Sequence, residues 1–562
     1  MNVLGICDNH DAGATLISKG KIVAAINEER LNRIKCSGGF PELSILKILE
    51  IGKIKPQEID KIVIASFFTP IAFFRLIEKH YQRNNRRISE FSYLFNLYVI
   101  YQVIVSKIKF LKFLEIAVSK KILSRKLKKM GFNCEISFVE HHTAHAYSVF
   151  NLSGFSEALI VTTDAMGDGI TLTVSQGTNK EIKRIYAESG FSAISSYYAR
   201  ITEFLGFKHN RHEGKITALA SYANPDKVLP FAHKLLHFTG DKFNKINYFI
   251  KQHKQDSFYK QLKNFSREEI AAGFQQNLEV EFSKFISYWI KKTNFSHIAL
   301  AGGLFANIKL NQKIHELKEV KEIFITPHMG DGGAALGAAL YATNLNLSAI
   351  ETIYLGNSAT KQEIEKALSQ NNLSYTLYEQ EQIEKKAAQL IAQGKLIGVF
   401  RGRLEFGPRA LGNRSVLYQT TDPQAKEVIN HRLNRTEFMP FAPATLKEYA
   451  EQCYQHLTGA EYTAKFMNIS FQCTEWMKKN CPGTVHLDGT ARPQLISKDD
   501  NPFFYNVINE YRKITNIPSI LNTSFNLHEE PIVSTPEEAI ESFLRSKLDY
   551  LILDNFLVTY PI

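Results

Sequence analysis

Two groups of residues in this sequence have the types and spacing to do chemistry. In Glu140-His141-His142-Thr143-Ala144-His145-Ala146, His141 and His145 stand four apart. On a helix, both imidazoles then project from one face and can share a metal ion. No glutamate lies between them to serve as a general base, so the zinc-protease pattern is absent. Asp164 and Asp331, each at the end of an apolar run beside glycine, are the expected oxygen ligands of a site with two histidines and two aspartates. Such a mixed set suits iron, manganese or zinc more than calcium. The second group is Gly402-Arg403-Leu404-Glu405-Phe406-Gly407-Pro408-Arg409-Ala410-Leu411-Gly412-Asn413-Arg414-Ser415. Arginine forks match phosphate oxygens, and glycines let backbone N–H groups approach the same anion. Arg409, Arg414 and the more distant Arg492, with Asn522 and Ser524, are expected to enclose a small dianion.

The elements that must carry these groups are legible. Val3–Cys7, Ala14–Ser18 and Ile22–Ile26 read as three short strands joined by tight polar turns, and Ala158–Thr163, Ile170–Val174 and the Gln176-Gly177 turn repeat the plan around Asp164 and Asp168. This recurrence predicts a duplicated, actin-like (sugar-kinase/heat-shock) α/β fold with a nucleotide cleft between its halves. Ile298–Asn307 and Ile323–Ala339 each read as a buried strand, a glycine turn and a helix. Gly302, Gly303, Asn307 and Gly332 are placed where a helix N-terminus can face nucleotide phosphate.

At 562 residues the chain exceeds a single core, which stops growing at roughly 250–300 residues. The expected division is an actin-like domain over 1–345, a linker rich in Asn, Ser and Thr over 343–362, and a second α/β domain over 363–562, in which Leu396–Phe400 feeds the arginine loop. A hydrophobic content of 44% with 22% charged residues excludes a disordered or fibrous protein.

The net charge of +12 is concentrated, since residues 71–130 hold fourteen Lys and Arg against three Glu. The rest is nearly neutral, so the high pI is weak support for a nucleic-acid partner. Residues 68–130 read as a basic helical insertion. Its apolar stretch Phe91–Val105 falls short of the roughly 20 residues needed to span a bilayer. The insertion either packs on its own domain with a solvated basic face, or attaches to anionic lipid or an acidic protein. Six cysteines without a CxxC pair, and no basic-then-apolar leader, predict a reducing cytoplasm.

Asp8-Asn9-His10-Asp11-Ala12-Gly13-Ala14, Asn27-Glu28-Glu29-Arg30-Leu31-Asn32-Arg33-Ile34-Lys35, the His141/His145 pair, Gly302-Gly303, Gly330-Asp331-Gly332, the arginine loop and Leu521-Asn522-Thr523-Ser524-Phe525-Asn526 occur in this order. Together they resemble the NodU/CmcH O-carbamoyltransferase family, which includes the enzyme that carbamoylates tobramycin. The resemblance spans nearly the whole chain. It implies an N-terminal domain similar to the universal tRNA threonylcarbamoyladenosine transferase and a C-terminal YrdC-like domain.

That resemblance implies a two-step reaction using ATP with Mg2+. Carbamoyl phosphate is cleaved, the carbamate is adenylated to carbamoyl-adenylate, and a hydroxyl of a small natural product or glycan takes the carbamoyl group as AMP leaves. By matching motifs, the metal falls to His141, His145, Asp164 and Asp331, with Fe2+ expected first and Zn2+ or Mn2+ as substitutes. Asp8, His10 and Lys35 would border the acceptor, and Arg409, Arg414, Arg435, Arg492, Asn522 and Ser524 would hold carbamoyl phosphate. Relatives carry a lysine where Asn434 stands, so Arg435 is expected to supply that charge. Transfer along an enclosed path would protect the mixed anhydride from water. The competing class is a tRNA threonylcarbamoyladenosine-type modification factor, which predicts a basic surface around the cleft; here the charge lies in one insertion instead.

Overall fold

The computed structural model describes residues 1–77, 93–179, 181–192, 194–244, 258–343, 345, 349–436 and 438–561. Lys79, Arg83, Arg86 and Arg87 of the basic segment, and Glu437, lie outside them. The chain forms two mixed α/β units: Met1–Asn32 with Cys36–Glu351, and Arg33–Lys35 with Thr352–Ile562.

The first unit contains two five-stranded sheets of one plan. Strands β1 (Asn2–Cys7), β2 (Gly13–Ser18), β3 (Lys21–Asn27), β4 (Lys61–Ala65) and β5 (Glu135–Val139) are ordered β3-β2-β1-β4-β5. Strands β6 (Glu157–Gly167), β7 (Ile170–Thr178), β8 (Glu181–Ser189), β9 (His297–Ala301) and β10 (Glu322–Ile325) are ordered β8-β7-β6-β9-β10. In each sheet an antiparallel meander continues into two parallel strands. The repeat read from the sequence is therefore a repeat of topology. The central strands are apolar almost throughout and buried, as parallel strands covered on both faces must be.

Between β4 and β5 the described residues form helices α1 (Ala72–Leu76), α2 (Tyr93–Lys107) and α3 (Lys109–Lys129). No described helix is long and apolar enough to cross a membrane. Helix α4 (His141–Ser153) follows β5, α5 (Arg267–Thr293) precedes β9, α6 (Ile308–His315) follows β9, and α7 (Ala334–Thr343) follows β10.

The second unit is built on an eight-stranded sheet. It uses β11 (Tyr375–Leu377), β12 (Ile397–Phe400), β13 (Arg414–Gln419), β14 (Ala442–Leu446), β17 (Gln494–Ile496), β18 (Ser519–Ser524), β19 (Tyr550–Leu553) and β20 (Phe556–Thr559). Their order is β11-β20-β19-β12-β13-β18-β14-β17, and β15 (Phe471–Gln472) pairs separately with β16 (Thr490–Ala491). One core of Phe400, Val416, Leu521, Phe525, Phe543 and Leu551 packs beneath it.

This unit begins at Thr352, inside the stretch expected to be a linker. The reason is hydrogen bonding: Gly356 N donates to Leu404 O (2.9 Å), Leu404 N to Asn357 O (2.8 Å) and Phe406 N to Ile353 O (2.8 Å). Residues 353–357 are thus an edge of the arginine loop. All six cysteines are free thiols.

Candidate metal centre and anion loop

Helix α4 starts at His141 because Glu140, held extended, caps it. The Glu140 carboxylate accepts from His142 N at 3.1 Å and Thr143 N at 2.8 Å, satisfying two of the amides that a helix start leaves unpaired. One turn later His145 comes beside His141, with ring centroids 4.7 Å apart. Asp164 lies near the end of β6, where the pairing with β7 shifts register between Thr163 and Gly167. Asp331 opens the short turn that leads into α7. Gly167 makes the approach possible, since a Cβ there would lie 2.0 Å from Cδ2 of His141.

These four side chains are buried, and one ligand atom from each lies within 4.8 Å of the others. His145 Nε2 is 3.0 Å from Asp164 Oδ2 and 3.6 Å from Asp331 Oδ1, while His141 Nε2 is 3.6 Å from both oxygens. Donors around one tetrahedral ion with bonds of about 2.0–2.2 Å lie roughly 3.4 Å apart, so the spacing fits a single cation. His141 Nε2, His145 Nε2, Asp164 Oδ2 and Asp331 Oδ1 are all buried without a hydrogen-bond partner. Four orphaned polar atoms at one point are costly unless something binds them.

The opposite atom of three of these side chains is held by the protein. His141 Nδ1 is 3.0 Å from Ser66 Oγ, Asp164 Oδ1 accepts from Gly303 N at 2.7 Å, and Asp331 Oδ2 accepts from Asn9 Nδ2 at 2.7 Å. His10 Nε2 also lies 2.9 Å from Asp331 Oδ2. Such outer contacts orient ligands. Asp168 ties the start of α4 to the segment after β4, accepting from His141 N (3.0 Å), Phe67 N (2.8 Å) and Phe68 N (2.9 Å).

The charges also call for a cation. Burial pushes the His145 imidazole toward neutrality, yet Asp164 and Asp331 outweigh it and hold its pKa up at about 9; His141 is raised as well, against burial, by Asp331 first and then Asp164. Burial and Asp331 push Asp164 up, but the two histidines bring it down to about 2. Asp331, despite burial, is held well below the carboxylate range by His10 and His141. His142 plays another part: it faces Thr162 Oγ1 (2.8 Å) and Ile170 O (3.0 Å), and burial lowers it to about 3.

Of the residues expected at the acceptor, Asp8 and His10 flank Asn9 beside this centre. Both oxygens of Asp8 are engaged by Arg75, which donates from Nε at 2.7 Å and Nη2 at 3.1 Å, with both side chains buried. Arg75 is equally not part of a solvated basic face. Lys35 clusters with the second unit, whereas Asp8 and His10 belong to the first.

Among the expected nucleotide residues, Gly302 takes φ +105° and a Cβ there would lie 2.1 Å from Thr163 O, while the Gly303 amide is spent on Asp164. Asn307 is engaged on both sides by the protein. Its Oδ1 caps α6 through Leu310 N (3.1 Å), and its Nδ2 donates to Gln275 Oε1 (2.9 Å). The Gly332 carbonyl faces Asn27 Nδ2 at 3.4 Å.

In the second unit the arginine loop is organised from inside. Glu405, 2% exposed, accepts at Oε1 from Leu411 N (2.8 Å), Asn413 N (2.8 Å) and Arg414 N (3.2 Å). These amides, expected to reach an external anion, are satisfied by an internal one. Arg414 is corrected likewise. It is fully buried over the Phe400 ring at 3.7 Å, donating to Arg401 O (2.6 Å), Asn413 O (3.0 Å) and Gly402 O (3.0 Å), and burial lowers its pKa to about 10. Arg403 donates to Gly356 O at 2.9 Å and Leu355 O at 2.5 Å.

Arg435 clasps the end of β18, donating to Thr523 Oγ1 (2.8 Å), Ser524 O (2.7 Å), Ser524 Oγ (3.1 Å) and Asn526 O (2.8 Å). Asn522 Nδ2 bridges Ala410 O at 3.2 Å and Gln494 Oε1 at 2.8 Å, which brings β18 to the loop and to the strand after Arg492. Arg409 and Arg492 are half-buried. Ser66, Asp168 and Glu405 went unread in the sequence; Glu405 carried the plainest signal, a lone carboxylate among arginines and glycines.

A family model described as Carbamoyltransferase N-terminus matches residues 2–340, and one described as Carbamoyltransferase C-terminus matches residues 388–560. An uncharacterized protein of Methanocaldococcus jannaschii is 33% identical over 99% of this chain and 99% of its own length. Nodulation protein NolNO of Sinorhizobium fredii is 32% identical over 98% of this chain and 79% of its own. The crystal structure of T. kodakarensis HypF matches 62% of this chain and 49% of that one at 13% identity with a TM-score of 0.32, a likeness too slight to define the fold. The chain belongs to the carbamoyltransferase family.

Proposed function

We propose that this carbamoyltransferase charges carbamoyl phosphate onto ATP and passes the carbamoyl group to a hydroxyl of a small natural product or glycan. The observation that carries the reading is the buried cluster of His141, His145, Asp164 and Asp331 with its four orphaned atoms, in a chain matched by carbamoyltransferase models over both parts. The first unit is read as an actin-like transfer domain, whose two sheets of one topology support the assignment. The second is read as a YrdC-like activation domain.

In the second unit, Arg409 and Arg492, assisted by Ser524, bind the phosphate of the donor. Water releases phosphate and carbamate, and the carbamate oxygen attacks the α-phosphorus of Mg-ATP, expelling pyrophosphate and leaving carbamoyl-adenylate. Arg414, Glu405, Arg435 and Asn522 position this site by holding the loop and β18.

In the first unit, the acceptor oxygen forms a bond to the carbamoyl carbon as the bond to AMP breaks. His10 borders the acceptor; its Nε2 faces Asp331 and its Nδ1 faces Asp11 at 3.2 Å, so it takes the hydroxyl proton only once Nδ1 is released from Asp11. Asp8, locked by Arg75, shapes the pocket. A divalent ion held by the four ligands, Fe2+ first and Zn2+ or Mn2+ otherwise, supplies Lewis-acid stabilisation of phosphate charge. Gly302, Gly303 and Gly332 let the backbone lie close to the nucleotide. The cytoplasm supplies ATP and carbamoyl phosphate, and no nucleic acid takes part.

Incubation with ATP, carbamoyl phosphate and a hydroxyl acceptor tests the reading. AMP and pyrophosphate are expected, and ADP with inorganic phosphate as the only nucleotide products would overturn it.

A further inference from the structure

We propose that helices α2 and α3 form a docking face for an anionic lipid bilayer. On α2, Leu97, Tyr101 and Ile104 are 43%, 38% and 42% exposed, and Ile108, the residue that joins α2 to α3, is 46% exposed. They are spaced four, three and four residues apart, which is one stripe of a helix. On α3, Phe110, Phe113, Leu114 and Val118 are 67%, 68%, 41% and 48% exposed on one face, while Ser119, Leu123 and Leu127 are buried on the opposite side.

The exposed face of α3 then changes character. Lys121, Arg125 and Lys128, all exposed, continue the line of Phe110, Leu114 and Val118 at helical spacing. One side of one helix is therefore apolar and aromatic in its first half and cationic in its second. From residue 93 to 129 nine Lys and Arg face a single acid, Glu115. Glu115 is engaged within the insertion, one oxygen accepting from Ala72 N at 2.9 Å and the other from the Tyr101 hydroxyl at the edge of the exposed stripe.

A protein interface of this area would not expose large aromatics along a row of like charges without acidic residues to fix register. A bilayer surface satisfies both halves: the apolar side chains enter the headgroup boundary while the long cationic stems reach lipid phosphates. Neither helix can cross, since none is long and apolar enough, so the association is interfacial. The inner side of the same element, through Phe74, Arg75, Leu123 and Lys126, lines a small cavity with Asp8. The outer face points away from that cavity, so docking there does not displace residues beside the candidate metal ligands. This inference is independent of the proposed reaction.

Co-sedimentation of the full chain with phosphatidylcholine vesicles, with and without phosphatidylglycerol, is the test. Binding to the anionic vesicles is expected at low salt, weakening steeply as ionic strength rises, with no retention on neutral vesicles. Two variants are compared, Lys121→Glu/Arg125→Glu/Lys128→Glu and Phe110→Ser/Phe113→Ser. Each alters only exposed positions, and each should lower the bound fraction at least about tenfold, since a charge near the surface contributes on the order of 1 kcal/mol and buried apolar area adds to it. Unchanged circular dichroism and metal content confirm that both variants fold. Failure of the native chain to bind anionic vesicles at low salt overturns the proposal, as does undiminished binding by either folded variant. Retention on polyglutamate but not on vesicles overturns it in favour of an acidic protein partner.

Discussion

The guanidinium of Arg75 grips both carboxylate oxygens of Asp8, at 2.7 Å and 3.1 Å, in a pair that is almost wholly buried. Arg75 belongs to α1, in the basic insertion, and Asp8 follows β1, one residue before Asn9, which holds the metal ligand Asp331. The insertion is therefore joined to the candidate metal centre by this ion pair, beside the contacts of Phe68 and Thr69 with Asp168.

Breaking that pair from one side should be expensive. Arg75→Met leaves Asp8 buried without its partner, and a loss of about 3–5 kcal/mol is expected. Arg75→Met/Asp8→Leu removes both charges and should recover much of it. Urea denaturation of the two variants checks this, and a double variant no more stable than the single one would contradict it.

The metal centre makes a separate expectation. His145→Ala and Asp331→Ala should lose bound Fe2+, Zn2+ or Mn2+ as read by elemental analysis, and with it carbamoyl transfer, while AMP formation persists. His141→Ala should behave alike. Ser66→Ala and Asn9→Ala, which remove outer contacts only, should weaken metal affinity about 10–100-fold without abolishing it. Chelation of the native protein should lower Tm, because a ligand bound to the folded state stabilises it by mass action.

Two arginines five residues apart in the same loop, Arg409 and Arg414, should part company in experiment. Arg414→Ala removes a fully buried guanidinium that holds three loop carbonyls and should destabilise the second unit by several kcal/mol, of the order seen for broken buried networks. Arg409→Ala should leave the melting transition nearly unchanged and stop AMP formation or raise KM for carbamoyl phosphate. Calorimetry beside steady-state kinetics separates the two.

Glu140 offers a pH dependence. Burial opposes its charge, but Arg184 first, then His142 and hydrogen bonds, lower its pKa from 4.5 to about 2. A depressed carboxyl contributes stability that is present above its unfolded pKa and disappears as pH falls through the folded value. In chelated protein, Glu140→Gln should cost about 1–2 kcal/mol near neutrality. The difference in Tm from the native chain should close as pH falls from about 4.5 toward about 2. A gap that widens on acidification would contradict the assignment.

The amino-acid sequence by itself determined the elements and nominated the candidate ligands. The short apolar runs around Ile6 and Val161, each followed by a polar turn and a further apolar run, specify two meanders, because strand and turn patterning is local. The spacing of His141 and His145 specifies a shared helical face for the same reason. Asp164 and Asp331 were legible as strand-end acids beside glycine. Only the tertiary structure decided which charges are available for chemistry. Arg414 and Asp8 look in sequence like groups available to a ligand, but the carbonyls of Arg401, Gly402 and Asn413 engage the first and Arg75 the second, through contacts between residues as far apart as 8 and 75. A side chain's hydrogen-bonding capacity is finite, and which partner consumes it depends on distances that no linear spacing encodes. The same holds for the insertion, which the sequence left either packed on its own domain or attached to a partner: only the packing shows that Leu123 and Leu127 of α3 are covered while Phe110 and Phe113 are exposed.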